Sequence, residues 1–253
     1  MKEFFKVTEL QRVLEFTPDF PRVEIEEVRL RDTVGRILAA DMVSDADLPD
    51  FPRSTVDGFA LNAASTFGAS EGNPAYFTVK ATVAMGASPN FSVGPGEAVR
   101  IATGGMLPSE TDSVVMIEHT EAIDETTIEV YRSTAPGHNV IAVGEDIQKG
   151  TVILRRGRKL RPQETGLLAA LGRQTVTVYK RPRIGIISTG DEIVPTHEVP
   201  GPGQIRDINT YTLSGLIYEA GGEAVSFGIV RDDFDALFEK CSLALAQCDM
   251  TLI

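Results

Sequence analysis

The feature that most constrains the fold is a regular alternation of strand-like and helix-like segments over residues 183–253. Three apolar runs have the length of strands, and two segments between them have the length of helices. The predicted strands are residues 183–188, 224–230 and 249–253, and the predicted helices are residues 210–220 and 234–247. Asn209 and Asp233 can cap the two helices, and Gly221 can end the first. Strands that alternate with helices predict a parallel, doubly wound sheet.

The position of the third predicted strand indicates whether the α/β domain is complete. Ligands of such sheets bind just beyond the carboxyl ends of the strands. The sequence supplies two of these ends and stops within the strand over residues 249–253. We therefore expect a fragment of a longer protein, with an incomplete α/β domain. Because half-built sheets leave free edges and exposed helix faces, residues 183–253 are expected to be the least stable region.

Residues 74–132 follow a β pattern instead. Short runs rich in β-branched and aromatic residues are broken by Gly and Pro, at residues 76–79, 98–101, 113–117 and 128–131. Their regular spacing predicts a small β-barrel or sandwich-like module. The segment before them, residues 47–60, contains two prolines and a glycine, so we expect a shaped loop there rather than a helix.

The remaining segments are mixed and short. Thr8 is the predicted cap of a helix that ends before Pro18. Further elements are predicted as strands at residues 23–25 and 28–30 and as helices at residues 34–40 and 163–171. The predicted fold class is therefore α/β plus β in several domains.

Composition narrows the classes of function. The formal net charge is −12, so the surface repels phosphate backbones and no nucleic-acid partner is expected. No apolar run approaches the roughly 20 residues that span a bilayer, so no membrane partner is expected. Cys241 and Cys248 lie about two helical turns apart, too far for a disulfide. The histidines show no zinc-ligand spacing. We expect a soluble, cytoplasmic protein.

One local exception to the acidity is the segment of residues 155–161, with sequence RRGRKLR. Two interpretations are open. The segment could be a patch that binds anions or nucleic acid, or it could be the solvated tip of a hairpin that follows the strand-like residues 151–154. The hairpin tip is the favoured interpretation, because charge runs are usually solvated.

Two acidic sets follow the first two predicted strands of the α/β region. Residues 188–192 (STGDE) end the first strand, and residues 231–233 (RDD) lie between the second strand and its helix. Carboxylates at such positions can hold Mg²⁺ beside a phosphate. The alternative is structural: Gly190-Asp191 is common in turns, and Asp233 is a good helix cap. Two acidic sets at neighbouring strand ends make a site and a structural role equally plausible.

A third set lies in the β-rich part. Thr103-Gly104-Gly105 follows a predicted strand, and consecutive backbone N–H groups of such a loop can converge on an anion. A plain β-turn is the favoured alternative from the spacing alone. Asp57-Gly58 also has two interpretations. An ordinary turn is the favoured one, and a carboxylate positioned for function is the alternative. Phosphate-binding loops, nucleophile elbows and HExxH motifs do not occur.

Taken in order, these segments resemble the molybdopterin molybdenumtransferases, the family that includes the E domain of gephyrin. The matching motifs are VGRILA at 34–39, STVDGFA at 54–60, RIATGGMLP at 100–108, DSVVM at 112–116, VGEDI at 143–147, STGDE at 188–192, GQIRDIN at 203–209 and GIVRDD at 228–233. The resemblance covers nearly the whole chain. It departs from the family after residue 253, where the family continues with a Ser-Gly-Gly loop and a fourth, β-rich domain.

The resemblance implies an elongated homodimer and a defined reaction. The family takes adenylylated molybdopterin and molybdate, releases AMP with the help of Mg²⁺, and leaves molybdenum on the dithiolene. The adenylylated substrate implies molybdopterin adenylyltransferase as the upstream partner. By the same resemblance the catalytic residues are Asp57, Thr103, Glu192 and Asp232, the metal ligands are Glu192 and Asp232, and the cofactor-binding residues are Ser188, Thr189, Gly190, Asp191 and Gly104.

Further expectations follow from the resemblance. Asp57 and Thr103 would face the active site of the partner subunit, whereas Glu192 and Asp232 would line the pocket of their own and lie within about 12 Å of each other. The resemblance also implies the domain division: residues 1–45 with 140–181 would form one elongated domain, residues 46–139 an inserted β-rich domain, and residues 182–253 the start of the molybdopterin-binding α/β domain. The first of these domains would supply the dimer interface. Without the continuation, this chain is expected to lack full activity. Two alternatives remain open: a gephyrin-like scaffold that binds peptides, and a homologue that inserts tungsten.

Overall fold

The computed structural model describes residues 8–253. The strands, in chain order, are β1 (Ile25–Arg29), β2 (Met42–Val43), β3 (Arg53–Ser54), β4 (Gly58–Leu61), β5 (Ala75–Thr82), β6 (Glu97–Ile101), β7 (Ser113–Met116), β8 (Thr120–Ala122), β9 (Thr127–Val130), β10 (Val140–Ile141), β11 (Val152–Leu154), β12 (Thr175–Tyr179), β13 (Arg183–Thr189), β14 (Ile193–Val194), β15 (Ile205–Arg206), β16 (Glu223–Val230) and β17 (Met250–Leu252). The α-helices are α1 (Leu10–Leu14), α2 (Pro162–Ala170), α3 (Asn209–Ala220) and α4 (Phe234–Gln247). Among the described residues, no helix is both long and apolar enough to cross a bilayer.

The chain divides into two compact units. One comprises Met42–Ile153, and the other comprises residues 8–41 together with Leu154–Ile253. The first unit contains all of the predicted inserted domain, residues 46–139. The finer division into three domains stays a prediction, and residues 1–7 of its first domain lie outside the described residues.

The unit Met42–Ile153, which we call the β-rich unit, is built on one six-stranded mixed sheet. The strand order is β7-β4-β6-β5-β9-β8. Only β5 and β6 pair in parallel; the other neighbours are antiparallel. Successive residues of a strand point to opposite faces, so Phe59 belongs to one buried cluster and Ala60 to the other. The β content predicted for residues 74–132 is confirmed, but the strands form a single six-stranded sheet with a buried cluster on each face, not the predicted barrel or sandwich.

The other unit contains the predicted parallel sheet. Strand β13 lies between β16 and β17 and pairs with both in parallel. Helices α3 and α4 pack against this sheet, with Ile187, Val230 and Ala244 forming a buried cluster. The register of β16 shifts opposite residues 186–188, where Gly228 has a φ of +82°. Such a β-bulge bends the end of a strand, and here the bent end reaches the candidate site.

A second part of the same unit joins distant segments. Strand β1 pairs antiparallel with β12, and α2 packs nearby on residues 30–32. Pro162 at the start of α2 and Glu164 in its first turn are typical of a helix N-terminus, and the Glu164 carboxylate accepts the Arg161 N–H at 2.9 Å. Helix α2 thus matches the predicted helix over residues 163–171 within one residue.

Several local predictions were wrong. Residues 34–40 do not form the predicted helix. Ile37 and Leu38 instead form extended bridges to Lys159 and Val178. This long-range pairing buries the Leu38 side chain completely. The two strands predicted at residues 23–25 and 28–30 are one strand, β1.

Two predicted helix caps were also wrong. Glu9 rather than Thr8 precedes α1, and it makes no side-chain capping bond. The N-terminus of α3 is capped by Asp207, whose Oδ1 accepts the Thr210 N–H at 3.1 Å, and not by Asn209. Asp233 caps α4 as predicted, because its Oδ1 accepts the Ala236 N–H at 2.8 Å.

Candidate functional site

A cavity of about 570 Å³, which we call the strand-end cavity, lies at the carboxyl ends of β13 and β16. This is the edge at which ligands of parallel α/β sheets bind. Its walls come from the turn after β13, the loop between β14 and β15, the first turn of α3 and the bulged end of β16. The polar groups that face it include Asp191, Asp207, Thr210 and Arg231, with His197 and Tyr211 on its walls.

The turn after β13 holds its shape through Gly190. The Gly190 N–H donates to the Val230 carbonyl at 3.2 Å, which fastens the turn to β16. Gly190 has a φ of +147°, and a Cβ at this position would lie 2.6 Å from Glu192 Oε2. The backbone conformation favours glycine here, and a Cβ would also displace the exposed Glu192 carboxylate, which folds back over the residue.

Below the turn lies a buried polar network that the sequence interpretation did not include. Ser188 Oγ donates to Asp207 Oδ1 at 3.0 Å and lies 3.0 Å from Thr210 Oγ1. Burial raises the pKa of Asp207, but hydrogen bonds from Thr210, Ser188 and Asn209 outweigh it and hold the pKa below its ordinary value. Asp207 is therefore a carboxylate that joins the end of β13 to the start of α3, with one edge on the cavity.

The loop between β14 and β15 forms a braced wall. The two short strands pair in parallel, and Arg206 Nε donates to the carbonyls of Thr196 at 3.2 Å and Glu198 at 3.1 Å. Thr196 Oγ1 also lies 3.0 Å from the Tyr211 hydroxyl of α3. Because both ends of the loop are held, the wall carrying His197 keeps a defined position beside the cavity.

The predicted residues of the α/β region divide into two groups. Gly190 and Asp191 line the cavity together with Arg231. Ser188 and Thr189 lie on β13 beneath it, and the Ser188 hydroxyl is engaged by Asp207. Glu192 and Asp232 are exposed and flank the lining residues Asp191 and Arg231 in sequence without themselves belonging to the wall. Their mutual approach stays a prediction.

The predicted residues of the β-rich unit form a separate contact. Asp57 Oδ1 accepts the Thr103 N–H at 2.7 Å and the Thr103 hydroxyl at 3.0 Å. These bonds, the backbone one first, hold the pKa of Asp57 below its ordinary value. Asp57 and Thr103 are both exposed, so a preformed, ionised carboxylate and a threonine face solvent together.

The backbone of the Thr103-Gly104-Gly105 loop is already hydrogen-bonded. The Gly104 N–H donates to the Ser54 carbonyl at 2.8 Å, and the Gly105 N–H donates to the Ala102 carbonyl at 2.9 Å. With the Thr103 N–H on Asp57, all three N–H groups have acceptors within the protein. A turn that positions Asp57 accounts for these glycines without an anion, and cofactor binding by Gly104 stays a prediction.

Metal binding is limited by the available ligands. Among residues 8–253, no group of three or more His, Cys, Asp or Glu side chains is placed to hold a metal ion. Both cysteines are free thiols. Mg²⁺ differs from metals bound in all-protein cages, because one or two carboxylates with water and phosphate oxygens suffice for it. The carboxylates of residues 191, 192 and 232 are compatible only with Mg²⁺ that is held mainly by water and phosphate oxygens.

Comparison with family models matches both parts of the chain. Residues 6–172 match the model described as the MoeA N-terminal region, domains I and II. Residues 185–253 match the model described as a "probable molybdopterin binding domain". The second match contains the whole strand-end cavity, and the first contains Asp57 and Thr103.

Individual relatives agree with the family models. The chain is 38% identical over 232 residues to the molybdopterin molybdenumtransferase of Bacillus subtilis, covering 90% of this chain and 54% of that protein. It is 37% identical over 229 residues to the enzyme of the same name from Nostoc, covering 90% and 52%. The chain thus spans about half the length of these curated relatives.

Solved structures show the same likeness. A crystal structure of the molybdopterin biosynthesis moeA protein from Pyrococcus horikoshii superposes with a TM-score of 0.92 at 37% identity. The match covers 98% of this chain and 66% of that one. A second structure of the Pyrococcus protein gives a TM-score of 0.84 at 40% identity, covering 97% and 63%.

Proposed function

The chain belongs to the MoeA family, and from this membership we propose that it acts in molybdenum cofactor biosynthesis as a molybdopterin molybdenumtransferase. The proposed reaction takes adenylylated molybdopterin and molybdate and releases AMP as molybdenum is transferred to the dithiolene. The observation that carries the proposal is the strand-end cavity, which both Arg231 and Asp191 line. A molybdopterin adenylyltransferase would supply the substrate.

The cavity suits a ligand with a phosphate and ring systems. Arg231 can donate two parallel hydrogen bonds to a phosphate, which fixes the orientation of the group as well as its position. The Tyr211 ring and the side chain of His197 offer surfaces against which a ring can pack. A volume of about 570 Å³ lies within the range of small-molecule sites. Ser188 and Asp207 would act by holding the floor of the site rather than by contacting the reacting atoms.

The residues present are compatible with Mg²⁺ as the metal of this reaction. Glu192 and Asp232 are the proposed ligands, and Asp191, next to Glu192 in sequence, lines the cavity together with Glu198 and Asp207. When bound, the ion would neutralise charge that develops on the phosphoryl oxygens as AMP leaves. The protein's own part is to supply these carboxylates and to present Arg231 to the same phosphate.

Asp57 and Thr103 are proposed to serve the active site of a partner subunit. The two hydrogen bonds from Thr103 fix the Asp57 carboxylate in one orientation and keep it ionised. An ionised, exposed carboxylate cannot act as a general acid at neutral pH, so its proposed role is electrostatic or basic.

A homodimer is proposed through the N-terminal segment. Helix α1 has five residues, none of them buried, and the Leu10 side chain is 73% exposed. So short a helix does not persist in water by itself. Large exposed apolar side chains continue along the segment at Val13, Leu14, Phe16 and Phe20. We expect a second copy to cover them.

The oligomeric state can be tested by light scattering coupled to size-exclusion chromatography. The native chain should elute as a dimer at micromolar concentration, and Leu14→Glu should shift it to a monomer. Ile123→Glu is the matched control, because Ile123 is a similarly exposed apolar residue of the β-rich unit. A monomeric native chain, or equal dissociation of the dimer by both variants, would contradict the proposed interface.

The proposed substrate can be tested by calorimetric titration with adenylylated molybdopterin in the presence of Mg²⁺. Arg231→Gln should weaken binding at least about tenfold, because a charge-assisted hydrogen bond contributes about 1.5–3 kcal/mol. Arg29→Gln, on an exposed residue of β1, should leave the affinity unchanged. Equal affinities of the two variants would refute the site. If the ligand binds but molybdate triggers no AMP release, the site stands and the reaction does not belong to this chain alone.

A further inference from the structure

A second cavity, of about 610 Å³, lies in the unit that contains β12 and shares no lining residue with the strand-end cavity. We call it the basic cavity, because Arg22, Arg156 and Lys180 line it. No acidic residue is among its lining residues in the described part of the chain. In a chain with a net charge of −12, a cavity lined by three cations and no acid is a local reversal of the charge balance.

The nearby acidic groups neutralise only part of this charge. Lys180 Nζ lies 2.6 Å from Glu24 Oε2, so these two charges compensate each other. Glu26 pairs with Arg36, which lies outside the cavity. Within residues 8–253, Arg22 and Arg156 form no ion pair. In the described part of the chain, the basic cavity therefore keeps two guanidinium groups that are not in an ion pair.

Arg156 is held in position by contacts that leave its outer edge free. Its main-chain N–H donates to Asp41 Oδ1 at 2.7 Å, and its Nε donates to the Tyr179 hydroxyl at 2.6 Å. The guanidinium carbon lies 5.7 Å from the centre of the Tyr179 ring. Its two terminal nitrogens have no hydrogen-bond acceptor within residues 8–253. A positioned guanidinium with free terminal N–H groups is suited to carboxylate or phosphate.

The rest of the wall is apolar. Val23, Ile37 and Pro182 line it beside Tyr179. Water is a poor occupant of such a wall, whereas a flat ring packs on it well. Pockets of about 300–1,000 Å³ hold small organic ligands, and this volume falls in that range. The wall and the cations together therefore select for a ligand that is both planar and anionic.

We propose that the basic cavity binds a small planar anion, with its ring against Val23, Ile37 and Pro182 and its acidic group on Arg156 and Arg22. A carboxylate and a phosphate share the required chemistry. This assignment gives the RRGRKLR segment a binding role at one residue, Arg156. It does not depend on the proposed molybdenum chemistry, because the two cavities share no residue.

The test is a titration followed by the amide signals of residues 156–157 and 179–180 in two-dimensional NMR. Phenyl phosphate and phenylacetate are the two probes, and inorganic phosphate and benzyl alcohol each carry half of the ligand. At least one full probe should bind, and each half should bind at least about tenfold more weakly. A half-ligand as good as the full probe would contradict the combined site, and binding of neither probe would overturn it.

Two variants and a matched control sharpen the test. Arg156→Gln should weaken the bound probe at least about tenfold, since it removes the positioned guanidinium. Arg22→Gln, which breaks no ion pair within the described residues, should weaken it by about threefold or more. Arg155→Gln changes the neighbouring residue outside the cavity and should change affinity by less than about twofold. Equal losses in Arg155→Gln and Arg156→Gln, or no loss in Arg22→Gln, would overturn the proposal.

Discussion

The β-rich unit and the α/β region of residues 183–253 are both built on a sheet, but they bury their apolar residues to very different degrees. In the β-rich unit, both faces of the sheet carry a cluster of seven buried residues. In the α/β region the cluster of Ile187, Val230 and Ala244 contains three. Its helices also leave large apolar side chains in solvent, such as Phe234 at 79% and Phe238 at 65%.

The two regions therefore differ in role: the β-rich unit has the larger buried clusters, and the α/β region carries the candidate binding site. The β-rich unit has a buried cluster on each face of its sheet, and its candidate site residues, Asp57 and Thr103, contact each other at the surface. The α/β region has a thin core and carries the strand-end cavity, whose walls are loops and strand ends. Regions with few buried apolar contacts open at lower free energy, which is common for ligand sites. We expect a ligand in the cavity to stabilise the α/β region more than the β-rich unit.

The largest expected effect is the loss of a core side chain in the β-rich unit. Phe77 is 2% exposed, and Phe77→Ala should lower the free energy of unfolding of that unit by about 3–5 kcal/mol. Phe238→Ala in α4 should change stability by less than about 0.5 kcal/mol, because the ring is exposed. Urea unfolding followed by circular dichroism measures both. A large loss in Phe238→Ala would mean that this helix face is covered in solution.

A smaller effect is expected at two glycines with different constraints. In β4, a Cβ on Gly58 would lie 1.9 Å from the Val115 carbonyl oxygen, so Gly58→Ala should cost about 3 kcal/mol by forcing β4 away from β7. In β16, Gly228 has open space around it and a φ of +82°. Gly228→Ala should therefore cost about 1–2 kcal/mol from backbone strain alone. Thermal unfolding that ranks the two variants in the opposite order would contradict the close packing of the β-rich sheet.

The smallest effect depends on pH. The Glu164 carboxylate lies 2.7 Å from Arg161 Nη2 and 2.9 Å from Arg158 Nη2. Hydrogen bonds from Arg161 and then Arg158 hold the pKa of Glu164 far below its ordinary value of 4.5. A lowered folded-state pKa gives stability that is present above the unfolded-state pKa and is lost as pH falls through the folded-state pKa.

Glu164→Gln should therefore lower the urea midpoint at pH 7, and the difference from the native chain should shrink as the pH falls below about 4. Glu219→Gln, on an exposed position of α3, is the control and should change the midpoint little at either pH. A difference for Glu164→Gln that is the same at pH 7 and pH 3 would show that its loss is steric rather than electrostatic.

Most elements of the fold were predictable where local chemistry decides the structure. Helix α4 has the predicted bounds because Asp233 caps it, and α3 ends at Gly221, whose φ is +96°. Residues 34–40 could not be predicted locally, because the extended bridge between Leu38 and Val178 joins positions far apart in sequence. Pairing over such a distance overrides local helix propensity.

The site was only partly predictable for the same reason. Strand ends followed by polar residues indicated Gly190 and Asp191, which line the cavity. Asp207 was recognised only as part of a family motif, although its position just before α3 is typical of a capping residue. Its bond to Ser188 joins residues 19 apart in sequence, and no periodicity indicates it. The basic segment was predicted to be a solvated tip, and the contact of Arg156 with Tyr179 depends equally on the fold.

We propose that the strand-end cavity of the α/β region binds the phosphate of the adenylylated substrate through Arg231. Amide hydrogen exchange with and without AMP and Mg²⁺ tests it most directly. Before ligand is added, residues 184–188 of β13 should exchange faster than residues 114–116 of β7, because their core is thinner. With ligand, exchange should slow at residues 190–193 and 228–231 and stay unchanged in the β-rich unit. Unchanged exchange at residues 190–193 and 228–231, or slowing confined to the β-rich unit, would contradict the account.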